Sequence, residues 1–327
     1  MESRSRIKAQ LIIGTAFQIF VISLPILQLK QLVMPTRRTF IQQSAVLATS
    51  LMVDTSGLFK MHKDLGLQLY TIRDEISKTK DLSETIGHVA AAGYTQLELY
   101  GYNQRKYFGH SVKDFSEMLK KHHLKTPSGH YGLPDMLFSA DYNWDSWKYL
   151  LEDAKILGHK YVVIPYLDDK HRTADDFKRI AERLNKGGEL SKAAGIITGY
   201  HNHNFEFETA DGMTHYEYLL KNTDPALVKF EMDIYWVKYA DQNPLDWFKK
   251  YPGRFAMWHI NDMEKGDGKT KGQTCEAGEG IINWKEIFAQ QKLAGLDYTF
   301  VEQEQYRKPV FDCIKISADY MKKNLLK

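Results

Sequence analysis

Four short stretches of the chain end in side chains that are suited to chemistry. The donors that they present include His201, Asp233, His259 and Glu302. The stretches are Gly199–His203, Lys229–Asp233, Phe255–Asp262 and Tyr298–Glu302. Two imidazoles and two carboxylates form a mixed nitrogen and oxygen donor set, which suits Mn²⁺, Zn²⁺, Co²⁺ or Fe²⁺ better than Ca²⁺, which prefers oxygen alone. We therefore predict one divalent-metal site built from these four residues.

These donors are far apart in the sequence, so they can meet only if the stretches that carry them lie side by side. Residues 61–327 contain eight β-rich runs: 65–71, 95–100, 124–130, 160–166, 195–203, 227–233, 254–260 and 296–303. Segments with helical periodicity lie between them: 83–92, 112–122, 144–157, 173–194, 284–292 and 310–323. This alternation implies parallel strands joined by right-handed crossovers. We predict a single α/β domain over 61–327, a (β/α)8 TIM barrel, in which functional side chains cluster at the C-terminal ends of the strands.

A doubly wound open sheet is the rival architecture, but no G-x-G-x-x-G follows the first β-rich run.

Alternation along a strand then predicts which side chains enter the barrel. If His259 points inward, Met257 points inward as well and fills the core. Asp233 differs, because Glu231 and Lys229 share its face. We predict that these two residues form a Lys–Glu pair in the barrel floor.

The charge of the chain is divided unevenly between residues 1–60 and the remaining body. The 327 residues carry a formal charge of +3. Residues 1–60 contain seven Lys or Arg side chains and two acidic ones, so the remaining body carries −2. A mildly acidic body lacks the basic footprint of a nucleic-acid-binding protein. The two cysteines, Cys275 and Cys313, have no metal-knuckle spacing, and we expect two free thiols rather than a disulfide framework.

Residues 1–60 have the features of an export leader. Arg37 and Arg38 precede the modest apolar run 44–53, which is the layout of a twin-arginine signal over about 34–53. We interpret Met34 as the true start and residues 1–33 as an upstream extension. The apolar stretch 11–27 is slightly short for a membrane span, which needs about 20 residues. We expect an exported, periplasmic protein that is either soluble or anchored by this leader.

Five motifs occur in the order seen in the xylose-isomerase-like TIM barrels, which are often labelled sugar phosphate isomerase/epimerase, and they resemble that family. They are Gly66–Asp74, Tyr200–Phe207, Met232–Trp236, Trp258–Asp262 and Gly278–Gly280. The resemblance covers nearly all of the body. It implies a barrel, a divalent metal, and chemistry on hydroxy-carbonyl sugars or polyols. It assigns the metal ligands to Asp233, His259, Glu302 and the last residue of the fifth strand. Many members have a glutamate there, whereas this chain has His201.

The resemblance also implies how such a site would work. A metal that holds a carbonyl and the adjacent hydroxyl stabilises an enediolate, and a positioned base removes the proton. The candidates for this base are Glu302, His130, Glu206 and Glu98. The candidate substrate-binding residues are Tyr70, His203, Trp236, Trp258 and Arg307. The polar, glycine-rich segment 263–282 is a candidate lid over the substrate.

Three functions remain open on the sequence alone. The first is a metal-dependent sugar isomerase or epimerase. The second is a lyase or dehydratase that expels a β-leaving group from a keto-sugar or 3-keto-glycoside, which the loss of the fifth-strand glutamate favours. The third is a periplasmic sugar-binding barrel without catalysis. We expect a small carbohydrate as the partner and no nucleic acid, and a homo-oligomer stays open.

Overall fold

The computed structural model describes residues 64–132, 134–139 and 141–326. The predicted leader 1–60, with its twin-arginine stretch and its upstream extension, lies outside the described residues and stays a prediction. Within the described residues, no helix is both long and apolar enough to cross a membrane.

Eight parallel strands close into a barrel, which confirms the predicted architecture. The barrel strands are β1 Gly66–Gln68, β2 Gln96–Leu99, β3 Lys125–His130, β4 Tyr161–Ile164, β5 Ile197–His201, β6 Val228–Asp233, β7 Met257–Ile260 and β8 Tyr298–Val301. Each strand pairs with its neighbours in chain order, and the pairing of β1 with β8 closes the ring. All eight predicted runs contain a barrel strand. The C-terminal ends of the strands therefore lie together at one mouth of the barrel.

Helices connect the strands around the outside. They are α1 Arg73–Lys78, α2 Leu82–Ala91, α3 Val112–Lys121, α4 Pro134–Phe138, α5 Trp144–Leu157, α6 Ala174–Ala193, α7 His215–Asn222, α8 Ile234–Tyr239, α9 Pro244–Lys250, α10 Trp284–Phe288, α11 Gln291–Ala294 and α12 Val310–Asn324. The predicted segments recur as α2, α3, α5, α6 and α12, while 284–292 divides into α10 and α11. The shorter helices α1, α4, α7, α8 and α9 have too few turns to show a clear periodicity.

Local sequence signals set the ends of the longer helices. Thr173 caps α6 with its side chain, which accepts from the backbone N–H of Asp176, and the Asp176 carboxylate accepts in return from the backbone N–H of Thr173. This reciprocal pair is a capping box. At the C-terminal end of α5, Gly158 adopts a left-handed conformation with φ of 79°. A residue without Cβ takes this conformation without strain, so the chain can turn from α5 into β4.

Apolar side chains fill the part of the barrel interior that lies away from the C-terminal mouth. Tyr161, Val163, Met257 and Phe300 pack together inside it and are buried. Gly199 fits beside them because a Cβ there would lie 2.9 Å from a methyl group of Val163. The interior is thus a packed core rather than a pore.

The predicted pair of Lys229 with Glu231 is wrong. The ammonium group of Lys229 donates instead to the backbone carbonyl of Gly253, at 2.9 Å. Glu231 points into the barrel and contacts His130 and His201. A long lysine side chain can carry its charge out of an apolar interior to a polar group nearer the surface, which explains the outcome.

Candidate metal centre and active site

The four predicted metal-binding residues meet at the mouth of the barrel. His201, Asp233, His259 and Glu302 each offer one ligand atom, and these atoms lie within 4.8 Å of one another. Strand register explains the convergence, because Asp233 on β6 lies opposite His259 on β7, and Glu302 directly follows β8. The Nδ1 atom of His259 is 2.8 Å from Oε2 of Glu302 and 3.8 Å from Oδ2 of Asp233. All four side chains are buried.

Asp233 combines a structural role with a free donor atom. Its Oδ1 accepts a hydrogen bond of 3.0 Å from the backbone N–H of Trp236 and so caps α8. Its Oδ2 is buried and has no hydrogen-bond partner among the described residues. A buried, unpartnered carboxylate oxygen is costly unless a proton or a metal cation neutralises it, and burial raises the pKa of Asp233 well above its usual value. This oxygen and the imidazole–carboxylate donor set fit a divalent ion of the Mn²⁺, Zn²⁺, Co²⁺ or Fe²⁺ type.

A second group of donors lies next to the first and shares two of its residues. It consists of His130, His201, Glu231 and His259. Oε2 of Glu231 lies 2.7 Å from Nε2 of His130, 3.1 Å from Nδ1 of His201 and 3.2 Å from Nε2 of His259. Sequence reasoning did not assign Glu231 to the site. The available signal was its inward face on β6, two residues before Asp233.

The histidines and carboxylates in this cluster shift one another's pKa values. Burial lowers the pKa of His259, but Glu231 and Glu302 outweigh it and raise that pKa well above the usual value. Burial likewise lowers the pKa of His130, and Glu98 and Glu231 together raise it to about 10. The neighbouring carboxylates therefore favour the protonated form of both imidazoles.

His201 behaves in the opposite way. Burial lowers its pKa, and the positive charge of His259 lowers it further. A neutral imidazole retains a lone pair, so His201 is suited to bind a metal ion.

A pocket of about 610 Å³ opens above the donors. Six of the predicted site residues line this pocket: Tyr70, His130, His201, His203, Trp236 and Glu302. Burial lowers the pKa of His203 well below its usual value, and the charges of neighbouring histidines add to this effect. Its Nδ1 has no hydrogen-bond partner among the described residues. His203 therefore presents a neutral imidazole in the pocket wall.

Two of the predicted bases lie behind the pocket wall. Glu98 is completely buried and accepts hydrogen bonds from Gln68 and Ser128. Glu206 accepts from the hydroxyl of Tyr200 at 2.9 Å and from the backbone N–H of His203 at 2.8 Å. Burial raises the pKa of Glu206 to about 7. Neither carboxylate lines the pocket; Glu206 holds the segment that carries His203.

Two of the predicted substrate-binding residues lie elsewhere. Trp258 is completely buried outside the barrel, where its ring stacks on Phe248 with centroids 5.0 Å apart. It neighbours the inward-facing His259 on β7, so strand alternation directs it to the opposite face. Arg307 is largely exposed and forms an ion pair with Glu264. Neither side chain lines the pocket.

Several pocket residues were missed by sequence reasoning. Tyr100, Tyr166, Arg172 and Glu304 lie on loops that follow β2, β4 and β8 and line the pocket. Burial, assisted by the charge of Glu302, raises the pKa of Glu304 to about 7. The signal that was available is position alone, because residues just after a strand's C-terminal end face the mouth of a barrel.

The predicted lid segment 263–282 is anchored at its base. Asp262–Met263 pairs with Thr274–Cys275 as a short antiparallel hairpin. The carboxylate of Asp262 accepts from the backbone N–H of Gly278 and the indole N–H of Trp284, both at 2.8 Å. The middle of the segment extends beyond these contacts, and its role as a lid stays a prediction.

The fold matches that of known proteins. The family described as "Xylose isomerase-like TIM barrel" matches residues 86–323, and the chain belongs to this family. An inosose dehydratase from Clostridium perfringens is 29% identical over 157 residues, which cover 43% of this chain and 52% of that protein. The match therefore spans about half the length of this curated relative.

Solved structures extend the similarity to the whole barrel. A sugar phosphate isomerase/epimerase from Parabacteroides distasonis is 30% identical, with a TM-score of 0.69 over 81% of this chain and 99% of that chain. A structure described as the IOLI protein with a binding zinc atom is 17% identical, with a TM-score of 0.62 over 81% of this chain and 99% of that chain. At this lower identity the similarity shows the fold alone.

Proposed function

We propose that this chain is a divalent-metal-dependent isomerase or epimerase that removes a proton next to a carbonyl group of a sugar or polyol. The proposal rests on the convergence of His201, Asp233, His259 and Glu302 at the mouth of the barrel, where His201 and Glu302 also line the pocket. The 30% identical isomerase/epimerase from Parabacteroides supports it. A Mn²⁺, Zn²⁺, Co²⁺ or Fe²⁺ ion held by these side chains would act as a Lewis acid on the substrate oxygen.

The remaining work falls to the side chains of the pocket. Glu302 is the proposed base, because its carboxylate belongs to the donor group and also lines the pocket. A base must come within hydrogen-bond reach of the proton that it removes. His130 lines the wall from β3 and is the proposed second proton-transfer group. The rings of Tyr70 and Trp236 give the pocket aromatic surfaces for the faces of a sugar.

The pocket favours a substrate without a phosphate group. Arg172 lines the pocket, but its guanidinium pairs with Asp169, donates to the carbonyl of Leu167 and stacks on Phe205 with 3.6 Å to the ring centroid. Glu302 and Glu304 place acidic groups in the same space. A phosphate would meet these carboxylates without an unpaired cation among the lining residues to compensate. We therefore propose an uncharged sugar, ketosugar or glycoside.

A β-elimination is the second candidate reaction. In this case the same proton is removed, and the electron pair expels a hydroxyl or glycosidic oxygen from the neighbouring carbon. His201 at the end of β5 favours it, because the epimerases of this family use a carboxylate there as half of a pair. The inosose dehydratase relative supports the same reaction.

Product analysis in D₂O separates these functions. The metal-loaded protein is incubated with keto-sugars and 3-keto-glycosides, and NMR follows the products. Epimerisation introduces deuterium at the carbon that loses the proton, whereas isomerisation introduces it at the former carbonyl carbon; both reactions retain every oxygen. Elimination yields an unsaturated ketone that absorbs in the ultraviolet. Saturable binding with neither change would instead identify a sugar-binding barrel without catalysis and would overturn both enzymatic proposals.

We further propose that the protein is exported through the twin-arginine signal around Arg37 and Arg38. The paired arginines before an apolar run support this proposal. Fractionation of cells that express the full chain tests it. The wild-type chain is expected in the periplasmic fraction, and a variant with both arginines replaced by lysine is expected in the cytoplasm. An unchanged distribution would contradict export by this route.

A further inference from the structure

Glu98 occupies a fixed position inside the barrel. It lies on β2, opposite Gln68 on β1 and opposite Ser128 on β3, and all three side chains are completely buried. Gln68 donates its amide N–H to Oε2 of Glu98 at 2.8 Å, and Ser128 donates its hydroxyl to Oε1 at 2.5 Å. Neighbours on both adjacent strands thus hold both oxygens of the carboxylate in place.

The carboxylate of Glu98 reaches across the barrel to His259. Its Oε2 lies 2.7 Å from Nε2 of His259, which comes 161 residues later in the chain. A carboxylate can only accept a hydrogen bond, so Nε2 of His259 carries the hydrogen. The other ring nitrogen, Nδ1, then faces Glu302 at 2.8 Å and Asp233 at 3.8 Å. Glu98 consequently decides which nitrogen of His259 faces the candidate metal ligands.

We propose that Glu98 is a positioning residue that orients His259 for metal binding, an inference that rests on the metal centre of the proposed function. A metal-binding histidine commonly donates its second N–H to a carboxylate, which fixes the ring and makes the ligating nitrogen more basic. Glu98 does not line the pocket, so it does not touch the substrate. This role replaces the expectation that Glu98 is a catalytic base.

Glu231 is the neighbouring carboxylate that competes for the same role. Its Oε2 lies 3.2 Å from Nε2 of His259, which is longer than the 2.7 Å contact made by Glu98. The shortest contact of Glu231 is to His130, at 2.7 Å. The distances therefore identify Glu98 as the main carboxylate partner of His259, and Glu231 as the main partner of His130.

Cobalt binding tests the proposal without any need for a substrate. Dissociation constants for Co²⁺ are measured by competition with a chromogenic chelator, and the visible absorption of bound Co²⁺ reports the ligand geometry. Glu98→Ala is expected to weaken binding by about 10- to 100-fold and to change the spectrum. Glu98→Gln retains a carbonyl oxygen as an acceptor, so a smaller loss is expected. Gln96→Ala is the matched control, because Gln96 shares the strand and face, but its side chain donates to Asp64 and belongs to neither donor group. Its affinity is expected to equal that of the wild type.

The outcomes separate the two proposals. Equal affinity and identical spectra for the wild type and the Glu98 variants would overturn the positioning role while leaving the metal centre intact. No Co²⁺ binding by the wild type would overturn the metal centre itself. If thermal unfolding shows that Glu98→Ala is not folded, Glu98→Gln and Ser128→Ala decide the matter. Ser128→Ala removes one of the donors that hold the carboxylate, and a several-fold loss is expected. Unchanged affinity in both variants would overturn the proposal.

Discussion

Nδ1 of His259 lies 2.8 Å from Oε2 of Glu302, across the contact between β7 and β8. Oδ2 of Asp233 approaches the same nitrogen from β6, at 3.8 Å. An imidazole nitrogen that faces two carboxylates requires positive charge, which either a proton or a metal ion can supply. Because a metal ligand must give up its proton, the proposed metal binding at His259 would be coupled to proton release.

Asp233→Asn should separate the metal-binding role of this residue from its capping role. The amide retains an oxygen that can accept from the backbone N–H of Trp236, but its NH2 group replaces Oδ2, the atom that would bind the ion. We expect metal affinity to fall by more than about 100-fold, beyond the loss typical of outer-sphere partners, with little change in stability. Elemental analysis after dialysis and thermal unfolding measure the two effects.

Asp81→Ala provides the control for that experiment. Asp81 caps α2 through the backbone N–H of Glu84 and lies outside the donor groups. Its loss should reduce stability by about 1 kcal/mol, the usual effect of removing an N-cap. Metal content should not change. Full metal content in Asp233→Asn would contradict the ligand assignment.

Metal addition should stabilise the folded protein. At a free metal concentration of 100 times the dissociation constant, binding to the native state alone adds about 2.7 kcal/mol to the free energy of unfolding. The physical reason is that the ion satisfies Oδ2 of Asp233 and screens the carboxylates from one another. Thermal unfolding of the chelator-treated protein with Mn²⁺, Zn²⁺, Co²⁺ and Fe²⁺ measures this gain. An equal gain in Asp233→Asn would place the binding elsewhere.

Two tryptophans that the sequence suggests as substrate contacts should respond differently to truncation. Trp258 is fully buried against Phe248 and Phe288, so Trp258→Ala should lower the free energy of unfolding by about 3 to 5 kcal/mol. Trp236 is only partly buried and lines the pocket. Trp236→Ala should affect stability less and weaken carbohydrate binding. Urea denaturation and calorimetric titration with a sugar compare them, and a reversed pattern would contradict this assignment.

The barrel and the convergence of the candidate donors were predictable because they depend on simple periodicity. The β-rich runs recur at regular intervals, and alternation along β6, β7 and β8 directs Asp233, His259 and Glu302 to one mouth. The same alternation rule excludes Trp258 from the pocket, since it neighbours an inward histidine. Its selection as a substrate contact rested on residue type instead of on strand geometry.

The remaining parts of the site depend on contacts that no local pattern reveals. The predicted partner of Glu231 was Lys229 on the same strand, whereas its actual partners come from β3, β5 and β7. Tyr166 and Arg172 enter the pocket on a loop whose path is set by packing against Phe205. Strand periodicity does not specify the path of such a loop.

His159 should make stability depend on pH. Its Nδ1–H donates to the backbone carbonyl of Thr126, its Nε2 has no hydrogen-bond partner among the described residues, and burial lowers its pKa to about 4. In the unfolded chain a histidine takes up a proton near pH 6.5. The unfolded state therefore binds more protons between these values. The contribution to stability is complete above about pH 6.5 and is lost as the pH falls towards 4, by about 2 to 3 kcal/mol.

Urea denaturation at pH 7.5 and 4.5 measures this loss. His159→Gln keeps a donor for Thr126 but cannot titrate, so its stability should fall less over that interval. Titrations common to both proteins cancel in the comparison, and equal losses would show that His159 does not carry the effect.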